Sequence, residues 1–372
     1  MYKYAARKNV PFGGIMNNTL SEIVRNFAID VTVEAYGNGH INDTYIADSE
    51  PRYILQRINH AIFKNPEQVM SNIVGITEFL RKKIEAAGGD VNRETLNVIK
   101  TRDGKDFYKA SDGNYYRMYN YVEGSASFEA VENCEQFYQA AKAFGKFQNM
   151  LADYPAEKLY DTIPLFHNTV KRIGDFKKAV ADDLAGRKAS VEEEINFVLA
   201  READAAVVVD AIADGRVPLR VTHNDTKLNN VLFDAETGKG LCVIDLDTVM
   251  PGSLLYDYGD ALRFGASSGA EDEIDLDKIY FDLDRFEAFT KGFIEETGDK
   301  LTPTEIELLP FSAKLLTYEC GMRFLGDYLN GDTYFKIHRE NHNLDRARTQ
   351  FKLVADIEAK MDEMKKIVKK YI

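Results

Sequence analysis

A β-rich island at residues 218–250, set in a run that otherwise reads as helix from about residue 128 onward, constrains this chain more than any other feature. It holds two short apolar strands, Val231-Leu232-Phe233 and Leu241-Cys242-Val243-Ile244, joined by the polar turn at residues 235–240. The loop His223-Asn224-Asp225-Thr226-Lys227-Leu228-Asn229-Asn230 feeds the first strand, and Asp245 and Asp247 follow the second. A hairpin folded this way brings Asn230 and Asp245 to the same end of its two strands.

That arrangement suits one chemistry. A carboxylate two residues after a histidine can take the proton of an acceptor hydroxyl. A neutral amide oxygen and a carboxylate on the paired strand are hard ligands, of the kind that hold magnesium against nucleotide phosphates. The order His-x-Asp, Asn five residues on, then a strand-borne Asp, is that of a kinase catalytic loop and its metal-binding Asp. In this reading Asp225 is the base and Asn230 and Asp245 are the metal ligands. Asp and Asn also favour turns and helix caps, so His-x-Asp with a nearby Asn is weak by itself. The strand, turn and strand ending in Asp supply the discrimination.

The first 122 residues have a different texture. Residues 19–29 read as a short amphipathic helix, and residues 31–48 as strand, glycine turn and strand around Gly37-Asn38-Gly39. Residues 51–59 read as a third strand. Val69, Ile73, Ile76, Leu80 and Ile84 mark a helix over 65–86. Three more strands are expected around residues 96–101, 106–111 and 114–122, with turns at Asp103-Gly104 and Asp112-Gly113. Beyond the connector, amphipathic helices are expected over 134–151 and 346–372. The fold class is therefore α+β and bilobal, with a β-rich N-lobe at 1–122 for nucleotide and a mainly helical C-lobe at 123–372 for catalysis and acceptor.

With 372 residues, 45% of them apolar and 29% charged, the chain has the composition of a folded protein of two lobes. A net charge of −13 disfavours binding to the phosphate backbone of nucleic acids. Three scattered cysteines, Cys134, Cys242 and Cys320, form no disulfide framework. No signal-peptide pattern and no stretch of membrane-spanning length is read, so the expectation is a cytoplasmic protein without membrane contact. The residues point to no oligomeric state.

The segments VTHNDTKLNN and IDLDTVMPG resemble the aminoglycoside-phosphotransferase-like kinases, a group that includes choline and homoserine kinases. More narrowly, RVTHNDTKLNN, LLYDYGDALRFGAS and LLTYECGMRFLGDYL are similar to the N-acetylhexosamine 1-kinases. YGNGHIN, PRYILQRIN, FGKFQN and DTYF extend that likeness over most of the chain. The resemblance implies a protein-kinase-like fold and magnesium-dependent transfer of the γ-phosphate of ATP to O1 of N-acetylglucosamine or N-acetylgalactosamine. It implies Asp225 as base, Asn230 and Asp245 as metal ligands, and sugar contacts from His40, Thr248, Arg323 and Tyr334. The alternatives are a kinase of another small alcohol or amine, such as choline, homoserine or an aminoglycoside, and a silent nucleotide-binding module.

The residues support these roles unequally. Arg323 lies in an apolar helical stretch and needs a partner, and Glu319 four residues back is in reach. Tyr334 by itself reads as a core aromatic. Gly37 and Gly39 can let backbone approach phosphates, although a hairpin turn explains both. Protein kinases carry a phosphate-binding Lys on the third strand. Here that strand is YILQRIN, and Gln56 or Arg57 stands in its place. Strand alternation puts the two on opposite faces. Arg57 is the better charge partner and Gln56 is nearer the expected position. Tyr119, Tyr121 and Val122, in an aromatic-rich hinge, are expected to bond the nucleotide base through their backbone. His338 and His342 read as surface histidines ahead of a helix rather than a zinc pair.

Overall fold

The computed structural model describes residues 15–37 and 41–372. Contacts divide it into two units, the first taking the chain to Met70 and then Leu96–Glu123, the second Ser71–Thr95 and Gly124–Ile372.

In the smaller unit α1 (Ile15–Arg25) precedes β1 (Val33–Ala35), β2 (Asp43–Ala47) and β3 (Tyr53–Ile58). Helix α2 (Pro66–Ala86) carries the chain into the second unit, and β4 (Tyr108–Lys109) and β5 (Tyr115–Asn120) complete the first. The strands form one antiparallel sheet in the order β1-β2-β3-β5-β4. Leu20, Ile23, Val24 and Phe27 close its core against Val33, Ala47, Leu55, Tyr116 and Met118. The strand expected at 96–101 shrinks to a single bridge, Val98 to Tyr119. The glycine turns form where expected: Gly104 and Gly113 have φ of 79° and 86°, which a residue with a Cβ rarely adopts.

The larger unit runs β6 (Ser125–Ala126), α3 (Cys134–Met150), α4 (Thr169–Asp182), α5 (Glu192–Leu199) and α6 (Val207–Ala213). The island follows as β7 (Arg220–Thr222), β8 (Val231–Asp234), β9 (Gly240–Val243) and β10 (Met250–Gly252). Helices α7 (Leu254–Gly265), α8 (Leu283–Thr297), α9 (Pro303–Leu329) and α10 (His342–Lys369) end the chain. The strands make two small sheets, β6-β8-β9 and the pair β7–β10. The α+β expectation, a β-rich first part and a mainly helical second, is what is observed.

Local chemistry starts the helices that matter for the site. Asn168 caps α4 by accepting the Lys171 amide at 2.9 Å. Thr302 and Glu305 close a capping box on α9, and Pro303 sits where its missing N–H costs nothing. Helix α7 lies very close to α9: a Cβ on Gly259 would meet the Ser312 carbonyl oxygen at 2.4 Å. Tyr318, Met322, Leu325, Phe351 and Val354 share a core with residues of α4 and α5. Among the described residues no helix is long and apolar enough to cross a membrane.

Candidate active site

The loop after β7 is anchored through both its backbone amides and its own side chains. Arg220, at the start of β7, grips the fully buried Glu305 carboxylate with two bonds of 2.8 Å. The Asp257 carboxylate on α7 then accepts the amides of His223 and Asn224 at 2.8 and 2.7 Å, and the Gln148 side chain at 2.6 Å. Asp260, one turn on, accepts the Thr226 amide at 3.1 Å. Burial raises the Asp257 carboxyl above its ordinary range. Burial also acts against ionised Asp260, but Arg263 and Lys227 outweigh it and hold that carboxyl low. Asn224 takes the left-handed conformation, φ 66°, which Asn tolerates better than most residues. This turn carries the chain from the buried His223 to the half-buried Asp225.

The His223 ring is structural. Its Nε2 donates to the Ile244 carbonyl at 2.8 Å, and its Nδ1 accepts the Asp225 amide at 3.3 Å. One neutral tautomer satisfies both bonds. The ring thus ties the loop to the end of the hairpin. There the Ile244 amide donates to the Asn230 carbonyl at 2.9 Å, extending the Val231–Val243 register by one pair. Asn230 and Asp245 are therefore brought together, as the hairpin argument required. Asp245 is not the last residue of the strand, however. β9 ends at Val243, and Asp245 stands two residues beyond it, exposed and left-handed at φ 59°. A non-glycine residue held there is strained backbone of the kind that clusters at functional sites.

Asp225 has both oxygens engaged and each keeps acceptor capacity. Lys227 Nζ lies 2.8 Å from Oδ1, and Asn230 Nδ2 donates to Oδ2 at 3.2 Å and to the Asp225 carbonyl at 2.7 Å. Burial works against the Lys227 charge, but the Asp225 carboxylate more than restores it, so the ammonium is held above its ordinary range. With its amide nitrogen spent on Asp225, Asn230 keeps its amide oxygen, a hard neutral ligand, as an acceptor. Among the described residues no three or more His, Cys, Asp or Glu gather into a metal site. An amide oxygen and one exposed carboxylate suit a magnesium ion whose remaining ligands come from phosphate and water.

The residues expected to contact an acceptor are placed as follows. Thr248 is buried, its hydroxyl donating to the His223 carbonyl at 2.7 Å. Arg323 is half-buried on α9, its guanidinium 5.4 Å from the Phe335 ring centre and 5.9 Å from that of Tyr334. Tyr334 is no core aromatic: it is 72% exposed, on a loop whose amides at Thr333, Tyr334 and Phe335 all donate to Asp327. The ion pair of Glu319 with Arg323 does not form either. Glu319 instead accepts His167 Nδ1 at 2.9 Å and the Thr169 hydroxyl at 2.8 Å. His40 and Gly39 lie outside the described residues.

In the smaller unit Gly37 has φ 74°, with open space where a side chain would be. Gln56 accepts two bonds from buried Arg117 at 3.0 and 2.9 Å and donates to Thr44, while Arg57 pairs with Asp43 at 2.6 Å. Tyr119 and Val122 are buried. The half-buried Tyr121 ring lies under Arg52, 4.1 Å from its guanidinium. His342 is not a surface histidine. It is buried at the first turn of α10, with Nε2 3.0 Å from Asp272 and Nδ1 accepting the His338 amide.

Sequence reasoning passed over Lys227, Asp257, Asp260 and His167. Two carboxylates three residues apart in the apolar run LLYDYGDAL were a signal for the aspartates, since buried charges need partners. A lone histidine in a loop carried none.

The family model described as APH, the phosphotransferase enzyme family, matches residues 32–289. The structure resembles that of the microcompartment-associated aminopropanol kinase at 14% identity, with a TM-score of 0.60 over 94% of this chain and 98% of that one. It resembles an aminoglycoside phosphotransferase from Alicyclobacillus acidocaldarius at 13% identity, with a TM-score of 0.62 over 98% and 99%. Spectinomycin phosphotransferase, solved with ADP and its antibiotic, gives 0.57 at 16% identity over 93% and 98%. With a match that spans well over half its length and includes the whole loop and hairpin, this chain belongs to the phosphotransferase enzyme family.

Proposed function

We propose that this phosphotransferase moves the γ-phosphate of ATP to the anomeric hydroxyl of an N-acetylhexosamine, N-acetylglucosamine or N-acetylgalactosamine, giving the α-1-phosphate. The observation that carries the acceptor class is Arg323, a half-buried guanidinium without a carboxylate partner among the described residues, beside the exposed Tyr334. A cationic acceptor such as choline or an aminoglycoside calls for carboxylates or an aromatic cage. A guanidinium repels such a molecule and suits the carbonyl and hydroxyl oxygens of a neutral N-acetyl sugar.

In the reaction the sugar O1 attacks the γ-phosphorus, the bond to the β-phosphate oxygen breaks, and ADP leaves. Asp225 orients the hydroxyl and receives its proton, with Lys227 and Asn230 fixing the carboxylate. Magnesium, held by Asn230 and Asp245, would neutralise phosphate charge. Thr248, Arg323, Tyr334 and His40 are proposed to hold the sugar. Gly37, Gly39, either Gln56 or Arg57, and the backbone at Tyr119, Tyr121 and Val122 are proposed to contact the nucleotide. The binding of ADP by spectinomycin phosphotransferase supports an adenine nucleotide.

Phosphorus NMR of the protein with ATP, magnesium and a panel of acceptors tests the reading. The panel holds both N-acetylhexosamines, glucose, galactose, choline, homoserine and kanamycin. A sugar 1-phosphate signal with an N-acetylhexosamine is the expected result. Product with only choline, homoserine or kanamycin overturns the acceptor class and leaves the phosphotransferase.

A further inference from the structure

His167 precedes α4 in sequence and takes no part in the reaction proposed above, yet it is buried between the acceptor residues and the catalytic loop. Its Nδ1 lies 2.9 Å from Glu319 Oε1 and its Nε2 lies 3.3 Å from the Asn224 carbonyl oxygen. A carboxylate and a carbonyl can only accept. A neutral imidazole has one N–H and would leave one of these contacts without a donor, so both are satisfied only by the imidazolium. The surroundings agree. Burial disfavours the charge, but the Glu319 carboxylate overrides it and holds the ring above its ordinary value. The other groups with electrostatic weight here are Arg323 on α9, Arg172 on α4 and Asp260 on α7, and the Tyr256 ring packs 5.2 Å away.

The partner matters as much as the histidine. Glu319 and Arg323 are four residues apart on α9, the spacing at which a carboxylate and a guanidinium pair across one helical turn. They do not pair. The second Glu319 oxygen accepts the Thr169 hydroxyl at 2.8 Å, so both oxygens are drawn toward the start of α4. Arg323 is left over the Phe335 and Tyr334 rings.

We infer that His167 is a positioning residue that holds Glu319 away from Arg323, leaving the guanidinium for the acceptor while its other ring nitrogen braces the carbonyl next to Asp225. The acceptor part of this inference rests on the proposed sugar site; the competition between His167 and Arg323 for one carboxylate does not. Without the imidazolium, Glu319 turns to Arg323 and the acceptor loses its cation.

Three variants read this out: His167→Gln, Glu319→Gln and the double variant. His167→Gln is expected to raise the acceptor KM about ten-fold or more, the loss of one bond to a charged group, with the ATP KM within about two-fold. Adding Glu319→Gln removes the carboxylate that captures Arg323, and the double variant should return the acceptor KM to within about three-fold of the parent. A merely structural role predicts the opposite, since a second buried substitution would add damage. Nitrogen-15 NMR gives an arm that needs no turnover. His167 should show two protonated ring nitrogens at neutral pH. The Arg323 Nε–H resonance should move in His167→Gln and move back in the double variant. An unmoved acceptor KM in His167→Gln, or no recovery in the double variant, overturns the acceptor role. A neutral His167 or an unmoved Arg323 resonance overturns the competition itself. If no N-acetylhexosamine is phosphorylated, the proposed function fails while the NMR arm still decides the competition.

Discussion

Asp225 and Asp245 are both aspartates near one hairpin end, but their surroundings differ, and so do the roles proposed for them. Asp225 is braced by Lys227 and Asn230, which aims a carboxylate without consuming it. Asp225→Asn keeps the shape and removes the proposed proton acceptor. Turnover should fall at least about 100-fold, the usual range for a general base, while the dissociation constant for magnesium-ATP stays within about two-fold. Retained turnover in a quenched-flow or coupled assay would remove Asp225 from the base role. Asp245 is exposed and left-handed, one residue past Ile244, whose amide the ladder pairs with the Asn230 backbone carbonyl. Asp245→Ala should weaken magnesium-ATP about ten-fold or more by calorimetry and leave metal-free nucleotide binding unchanged. Equal loss with and without magnesium would speak against a ligand. The spacing of these three residues was legible in the sequence because a hairpin is a local object. The left-handed turns at Asn224 and Asp245 were not, because no residue type there demands φ > 0.

Among the elements, α7 does the most for the site. It places Asp257 and Asp260 one turn apart beneath the loop, so that three loop amides end on two carboxylates. It can do so because it packs close to α9, and Gly259 permits that approach. Gly259→Ala forces a methyl group to within 2.4 Å of the Ser312 carbonyl, a backbone atom that cannot rotate away. The expected cost is roughly 2 kcal/mol or more in chemical denaturation. A stability unchanged within about 0.5 kcal/mol would mean that the helices move apart at little cost. The amphipathic pattern made most elements legible: every residue of the stripe Val69, Ile73, Ile76, Leu80 and Ile84 is buried, and α2 begins one residue from the expected start. The strand at 96–101 was misread because its apolar residues suit a half-buried extended segment as well as a strand.

At the scale of the whole molecule, the buried His167–Glu319 pair gives stability a stated pH dependence. The histidine is held above its ordinary value of 6.5, so its contribution is full below about 6.5 and is lost as pH rises through the folded-state value. Glu319 is the reverse case. Burial opposes its charge, His167 outweighs burial, and the carboxyl sits below its ordinary 4.5. Its contribution is full above about 4.5 and is lost as pH falls through the folded-state value. The pair therefore stabilises most between those limits. The stability difference between the parent and the Glu319→Gln variant should be largest near pH 5.5 and shrink on both sides. A difference that is flat from pH 4 to 9 would show that the pair does not titrate on folding. The sequence by itself determined the α+β class, the order of the elements in the first 122 residues apart from the strand at 96–101, the hairpin that unites Asn230 with Asp245, and the phosphotransferase reading. All of these follow from periodicity and spacing over a few tens of residues. Only the tertiary structure decided which partner each buried charge would take. Glu319 has Arg323 four residues away in sequence and His167 152 residues away, and it pairs with the distant one. The packing of α4 against α9 decides that choice, and a helical repeat does not encode which helices will meet.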